Sequence, residues 1–201
     1  SLHDALPISR ETTAFSAALE YARVGIELLT SKAWETNYHL ILTLKNSFAE
    51  VAYLSSKLEI AEYSIADILS HARTLEDRLS AYEVKLQVLK SQNQFKEAIA
   101  LGIEILELLE IPLPKEATSR DVEQAFVEME SALERRSLSE LIELPKMSDR
   151  KILAATRIIY NLMPVVHMTQ ANLLPILICQ QIKLALRYGN APAHTHAYAG
   201  L

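Results

Sequence analysis

The sequence has few of the residues on which turns and disulfides depend. It contains four glycines and one cysteine in 201 residues. Because turns and β-bulges draw on glycine, this shortage argues against a β-rich or loop-rich fold. The single cysteine, Cys179, excludes an intramolecular disulfide and indicates a reducing compartment, so we expect a cytoplasmic location. Cys179 lies in the apolar run Leu173–Cys179 and is predicted to be a buried, inert thiol.

A strong charge of one sign and a membrane-length apolar run are also missing. The net charge is −5, both signs are interspersed, and no basic stripe is present. Nucleic acid and anionic membrane surfaces are therefore not expected partners. The apolar run 173–179 is far shorter than the roughly 20 residues that a bilayer-spanning helix needs, so we expect no membrane span.

The sequence also lacks the motifs of common catalytic sites. The glycines lie too far apart for a phosphate-binding loop, and no Gly-x-Ser-x-Gly elbow occurs. His194 and His196 are two residues apart, so their imidazoles would diverge on a helix. We therefore expect no catalytic, cofactor-binding or metal-binding residue, and no cofactor. An all-α enzyme stays as an alternative that predicts several perturbed pKa values in one cleft.

Helical periodicity is abundant, and it is clearest over 79–109. Two amphipathic segments there are joined by the polar turn 91–94. The second segment carries two apolar stripes at helical spacing, one of Phe95, Ala98, Ile99, Gly102, Ile103 and Leu106, the other of Leu101, Ile105 and Leu108. A helix that is apolar on two faces has to be covered from two sides. We therefore expect a helical hairpin within a stack of helices.

Further helices are predicted on both sides of this hairpin. The apolar spacing predicts helices over about 11–29, 35–54 and 58–72, and a non-native or disordered leader over Ser1–Arg10. Two prolines interrupt the chain at 111–118. Beyond them, helices are predicted over about 119–134, 149–163 and 171–188, the first two capped by Ser119 and Ser148. Gly189 is expected to stop the last of these, with a further, truncated helix beyond Pro192. No strand is predicted, so the fold class is all-α with about eight or nine helices.

The two predicted helices before this hairpin, 35–54 and 58–72, repeat the apolar pattern of the hairpin itself. A shift of 37 residues places one apolar set on another: Leu58 on Phe95, Ala61 on Ala98, Ile68 on Ile105, Leu69 on Leu106, and Ala52 on Leu89. A period in this range is typical of stacked helix-turn-helix units.

These units resemble tetratricopeptide repeats. Tyr82 supplies the large residue early in a first helix, Ala49 the small residue one turn later, and Ala61 and Ala98 the alanine early in a second helix. Leu86 departs from the small residue of the motif. The resemblance implies a tetratricopeptide-like, right-handed α-solenoid of antiparallel helix pairs. Its expected divisions are helix pairs over 11–110, a proline-containing linker over 111–118, and continuing repeats over 119–201.

Several strings also resemble the helical-repeat region of large hybrid signalling proteins that are common in cyanobacteria and some other bacteria. The strings lie at 49–55, 82–87, 106–114, 141–145 and 188–192. Proteins of that family join a Ser/Thr protein kinase domain, an AAA/STAND-type ATPase domain, helical repeats, a GAF domain and a sensor histidine kinase. The resemblance implies that this chain is a non-catalytic interaction segment of a multidomain signal-transduction kinase. Other domains of the same polypeptide, or partner proteins and peptides, are its expected partners.

First-helix faces of the repeats provide a candidate interaction groove. Its expected residues are Tyr38, Asn46, Tyr53, Tyr82, Lys85 and Gln92. An alternative function is ligand sensing by a helical module with an apolar pocket around 158–184. That pocket is expected where Pro164 and Pro175 break the helices.

Overall fold

The computed structural model describes residues 2–29, 32–133, 140–141 and 143–192, with side chains from residue 14 onward. Within these ranges the chain forms helices and no β-strand, which confirms the all-α class. The chain divides into two compact units, Ser1–Ser91 and Gln92–Leu201. In each unit the helices pack against others close to them in sequence, consistent with the predicted helical-repeat fold.

The first unit contains five helices among its described residues. They are α1 (Leu2–Glu27), α2 (Ala33–Thr36), α3 (Tyr38–Leu54), α4 (Leu58–His71) and α5 (Leu75–Ser91). Helix α3 packs against α1, α4 and α5, and α4 also packs against α5. Each of α3, α4 and α5 therefore contacts the other two, as expected when one helix pair is followed by the first helix of the next.

Small side chains let these helices approach one another. Ala49, Ala52, Ala61 and Ala81 are all fully buried in the core of the first unit, together with Ile65, Ile68 and Val88. Close packing of this kind depends on shape, because a larger residue would overfill the space. The two alanines that carry the tetratricopeptide resemblance here, Ala49 and Ala61, thus lie where the helices meet.

The 37-residue shift of the sequence recurs in the backbone of two turns. Ser56 and Asn93 both have a φ of 58°, and the residues after them, Lys57 (φ −92°, ψ 64°) and Gln94 (φ −83°, ψ 64°), also match. A left-handed residue just after a helix is a common way to end it. After α3, the Lys57 amide donates a 2.8 Å hydrogen bond to the Ala52 carbonyl, which completes this kind of helix end.

The second unit contains four helices among its described residues: α6 (Phe95–Leu108), α7 (Ser119–Leu133), α8 (Arg150–Thr169) and α9 (Leu173–Tyr188). Helices α6 and α9 both pack against α8, and α7 packs against α9. At Gly102 on α6, an added Cβ would lie 2.5 Å from Cδ1 of Leu162 on α8. The missing side chain of Gly102 therefore allows the two helices their close approach.

Exposure along α6 follows the two predicted stripes. The buried residues are Ala98, Ile99, Gly102, Ile103, Ile105 and Leu106, while Lys96, Glu97, Ala100, Glu104 and Glu107 are exposed. Leu108 is the exception on the second stripe, because 49% of it remains exposed. The predicted packing of 94–109 against 79–91 stays a prediction, since the two helices belong to different units.

The end of α9 confirms the predicted stop at Gly189. Its φ of 95° and ψ of −178° lie in a region that is essentially restricted to glycine. The next residue, Asn190, donates its amide to the Pro145 carbonyl at 2.7 Å and accepts from the Met147 amide at 2.8 Å. These bonds join the chain after α9 to the chain before α8, and they include an isolated β-bridge between Lys146 and Asn190.

Two predicted helices differ from those of the structure. Helix α1 begins at Leu2 rather than at 11, so the expected leader is helical, and its native or non-native origin stays a prediction. The predicted helix 35–54 is two helices, because Asn37 (φ −135°, ψ 42°) interrupts the helical backbone between α2 and α3.

Two predicted caps are wrong by one residue. Thr118 caps α7 in place of Ser119, since Thr118 and Asp121 bond reciprocally: the Thr118 amide donates to Asp121 Oδ2 at 2.8 Å, and the Asp121 amide donates to Thr118 Oγ1 at 3.3 Å. Asp149 caps α8 in place of Ser148, because Asp149 Oδ1 accepts from the amides of the second and third helical residues at 2.9 and 3.1 Å.

The predicted end of α8 at 163 is also wrong, since the helix continues through Pro164 to Thr169. An interior proline loses one backbone hydrogen bond and costs about 3 kcal/mol in a helix. Burial of the flanking residues Leu162, Val165 and Val166 in the core of the second unit holds this part of the helix together. The predicted helix beyond Pro192, with its two histidines, lies outside the described residues.

Candidate functional site

The candidate groove residues lie on α3, on α5 and just after α5. Tyr38, Asn46 and Tyr53 belong to α3, and Tyr82 and Lys85 lie three residues apart on α5. Gln92 belongs to the turn that follows α5. Tyr38 is buried and the other five are half-buried. The six side chains are therefore partly covered, and their contact with a partner stays a prediction.

Tyr38 joins the start of α3 to the turn between α4 and α5. Its hydroxyl donates a 2.7 Å hydrogen bond to Asp77 Oδ2 and accepts one of 2.8 Å from the Arg73 amide. The guanidinium of Arg73 also lies over the Tyr38 ring, 4.0 Å from its centroid. With 8% of the residue exposed, Tyr38 acts as an internal tie more than as a surface for a partner.

This tie changes the acidity of both of its side chains. Burial, followed by the hydrogen bond to the Asp77 carboxylate, raises the pKa of Tyr38 above its usual value. Burial acts to raise the pKa of Asp77 as well, but hydrogen bonds from Tyr38 and Thr74 outweigh it, so the pKa is lowered. The hydrogen bond between Tyr38 and Asp77 contributes to both shifts, and structural networks perturb pKa values as catalytic sites do.

An aromatic stack lies beside the tie. The Trp34 and His71 rings are parallel within 1°, with their centroids 4.8 Å apart. His71 Nδ1 lies 2.9 Å from the Asp67 carbonyl oxygen, and Arg73 Nη2 donates to the Trp34 carbonyl at 3.0 Å. Trp34 also packs against the core of the first unit, and His71 is the last residue of α4.

Sequence reasoning did not identify Asp77 and Arg73 as members of this cluster. Asp77 accepts hydrogen bonds from the Tyr38 hydroxyl and from the Thr74 amide. The Thr74 and Asp77 spacing is that of a reciprocal helix cap, and this local signal was present in the sequence. The partnership with Tyr38, 39 residues away, had no sequence signal of its own.

The other candidate groove residues contribute to packing in different ways. Asn46 donates its side-chain amide to the Leu42 carbonyl at 2.9 Å, while its Oδ1 is buried without a hydrogen-bond partner. Tyr53 packs against the core of the first unit. The structure thus brings Tyr38, Asn46 and Tyr53 to one helix, but Tyr38 bonds to Asp77 on α5 and Tyr53 packs against the core, so neither is simply a surface residue.

The second unit contains a half-open cavity of about 700 Å³. It lies where the ends of α6, α7 and α9 meet the start of α8, and it is lined by Leu108, Leu109, Glu110, Ile111, Ala132, Asp149, Lys151, Ile152, Gln180, Lys183, Leu184, Leu186, Arg187 and Tyr188. The lining combines aliphatic side chains with cationic and anionic ones. We refer to it below as the α6–α9 cavity.

The alternative pocket around 158–184 was predicted from broken helices, and the prolines do not break them. Pro164 lies within α8, and Pro175 lies in the first turn of α9. The apolar side chains between them form a filled core that includes Ile158, Ile159, Leu162, Val165, Leu173, Leu177 and Ile182. A shallow depression of about 370 Å³ lies at the turn 170–173, and the α6–α9 cavity shares Gln180, Lys183 and Leu184 with the predicted span.

Cys179 is buried as predicted, and burial raises the pKa of its thiol. The part of the chain that the structure describes holds no group of three or more His, Cys, Asp or Glu residues arranged to bind a metal ion. None of the described helices is both long and apolar enough to span a membrane. Comparisons of this chain with protein-family models, with curated proteins and with solved structures found no match.

Proposed function

We propose that this chain is a non-catalytic helical-repeat segment that binds other protein domains and positions them. The observation that carries the proposal is the recurrence, after 37 residues, of the same turn backbone between two helices, with a left-handed residue at Ser56 and again at Asn93. Repeats of this kind bury side chains between neighbours and leave extended surfaces for partners. The resemblance to hybrid signalling proteins suggests a multidomain signal-transduction kinase as the parent and a cytoplasmic location.

Apolar side chains on the surface of the first unit support an interaction role. Tyr21 on α1 and Leu28, just after the end of α1, are 79% and 80% exposed, and Leu40 on α3 and Tyr63 on α4 are also largely exposed. In a complex, the apolar surface of these residues would be removed from water. Such burial stabilises a complex by roughly 25 cal/mol per Å². Single exposed apolar residues are normal, so a contribution of these residues to binding has to be measured.

The experiment begins with the coding sequence on either side of this chain. We expect a nucleotide-binding loop upstream and a histidine phosphoacceptor downstream. The flanking domains, produced separately, are then titrated with this chain in a calorimeter. We expect at least one of them to bind, and the double variant Tyr82→Phe/Lys85→Gln to weaken that binding while the helical content stays unchanged.

A matched control is Tyr160→Phe/Lys146→Gln, which makes the same two changes in the second unit. We expect this pair to leave the affinity unchanged. The proposal fails if the flanking sequence encodes none of the expected domains, or if no flanking domain binds this chain. Equal weakening by the two double variants would remove Tyr82 and Lys85 from the interaction surface.

A further inference from the structure

The α6–α9 cavity leaves Leu108, an apolar residue that the sequence predicted to be covered, open to solvent. Leu108 belongs to the second apolar stripe of α6, yet it is the one member of that stripe that is largely exposed, and it lines the cavity. Ile111 and Leu184 line the same cavity and are otherwise buried. An apolar molecule in this space would therefore cover the part of α6 that the rest of the described chain leaves open.

The size of the cavity suits a small molecule. Its volume of about 700 Å³ falls within the range of roughly 300–1,000 Å³ that is typical of ligand sites. Such sites combine an apolar lining with a few polar groups that orient the ligand. The α6–α9 cavity has both kinds of residue.

The charged residues of the cavity differ in whether another group of the chain already pairs with their charge. Lys183 Nζ lies 2.7 Å from Glu128 Oε2, and this bond lowers the pKa of Glu128. The Asp149 carboxylate accepts hydrogen bonds from two backbone amides at the start of α8. Arg187 has no carboxylate within ion-pair distance among the described residues, and its guanidinium lies over the neighbouring Tyr188 ring.

We propose that the α6–α9 cavity binds a small molecule with an aliphatic body and one oxyanion, with the oxyanion held by Arg187 and the aliphatic body against Leu108 and Ile111. A guanidinium presents parallel donors that match a carboxylate or a phosphate. Glu110 lies in the lining as well, and its charge opposes the oxyanion. This site is independent of the proposed role in binding protein domains.

The test compares three ligands that share one aliphatic chain: decanoate, decyl phosphate and decanol. Each is titrated calorimetrically into the full chain, below its aggregation concentration and at constant ionic strength. We expect decanoate or decyl phosphate to bind at least tenfold more tightly than decanol. The tighter of the two identifies the oxyanion as a carboxylate or as a phosphate.

Three charge variants locate the oxyanion. Arg187→Gln is expected to weaken binding of the preferred anion about tenfold and to leave decanol unchanged, because it removes a charge-assisted pair. Glu110→Gln is expected to strengthen anion binding, since it removes a like charge. Arg120→Gln, which makes the same change on α7 outside the lining, is the matched control and should have no effect.

A fourth variant tests the apolar side of the cavity. Leu108→Trp adds bulk at a position that is already half exposed, so it is expected to fill the cavity without unfolding the chain. Binding of all three ligands should therefore become weaker. Circular dichroism and thermal unfolding of each variant confirm that it is folded. The proposal is overturned if none of the ligands binds the native chain, if decanol binds as tightly as the anions, or if Arg187→Gln and Arg120→Gln act alike.

Discussion

Gly102→Ala tests the close approach of α6 to α8. At this position, helix propensity favours alanine, whereas packing against Leu162 opposes it. Glycine in a helix interior is less favourable than alanine by about 1 kcal/mol, so the substitution would stabilise an ordinary helix. Here the new Cβ would lie 2.5 Å from Cδ1 and 2.8 Å from Cδ2 of Leu162. Leu162 is fully buried, so its side chain cannot turn away into solvent.

Overpacking of a filled core costs typically 1–3 kcal/mol. The contact is with the far end of a flexible side chain, but the surrounding core is closed, so we take the upper part of that range. Subtracting the gain in helix propensity leaves an expected loss of about 1–2 kcal/mol in the free energy of unfolding. The sign of the change therefore depends on packing, and propensity alone predicts the opposite.

The assay is urea unfolding followed by far-ultraviolet circular dichroism, applied to a double-mutant cycle with Leu162→Ala. Leu162→Ala alone should cost about 2–5 kcal/mol, because it leaves a cavity. In that background, Gly102→Ala should be neutral or stabilising by about 1 kcal/mol, since the three leucine atoms nearest the new Cβ are gone. The coupling between the two sites should thus be about 1–3 kcal/mol.

Ala100→Gly measures the propensity term on the same helix. Ala100 is exposed on α6, so its replacement should cost about 1 kcal/mol with no change in packing. The reasoning is refuted if Gly102→Ala stabilises the native chain, or if its effect is the same with and without the Leu162 side chain. Either result would show that α6 and α8 are not in close contact at this position.

Three further predictions concern single positions. Gly189→Ala should lower the free energy of unfolding by about 3 kcal/mol or more, because a Cβ would overlap the Pro145 carbonyl oxygen and the φ of 95° disfavours any side chain; a smaller loss in urea unfolding than that of Gly102→Ala would contradict it. Ser56→Gly should raise the free energy of unfolding by about 0.5–1 kcal/mol, since glycine adopts the left-handed φ of 58° without strain, and a loss of stability would count against a strained turn. Tyr38→Phe should cost about 1–2 kcal/mol at neutral pH. Because the hydrogen bonds to Asp77 lower its pKa, their contribution is present above about pH 4 and is lost as the pH falls through the folded-state pKa. The cost of Tyr38→Phe should therefore shrink in urea titrations at lower pH; a cost that stays constant down to the acid unfolding of the chain would refute the role of the ionised carboxylate.

Local patterns in the sequence predicted much of this fold. Apart from Leu108, the two apolar stripes of α6 correctly separated its covered from its exposed residues, because a helix in a stack repeats its environment every 3.6 residues. The stop at Gly189 was predictable because few residues other than glycine adopt a positive φ at low cost. The 37-residue shift of the sequence likewise anticipated the equivalent turns at Ser56 and Asn93.

Contacts between distant parts of the chain decided the rest. Whether Pro164 ends α8 depends on the burial of its neighbours, which outweighs the lost hydrogen bond, and the sequence around it shows only the proline. The bond between Tyr38 and Asp77 and the opening of the α6–α9 cavity at Leu108 have no local signature. By itself the sequence determined which residues form helices and which faces are apolar, because these depend on neighbours within a few residues. The tertiary structure alone decided which faces meet and which stay open, because burial is a property of how separate helices pack.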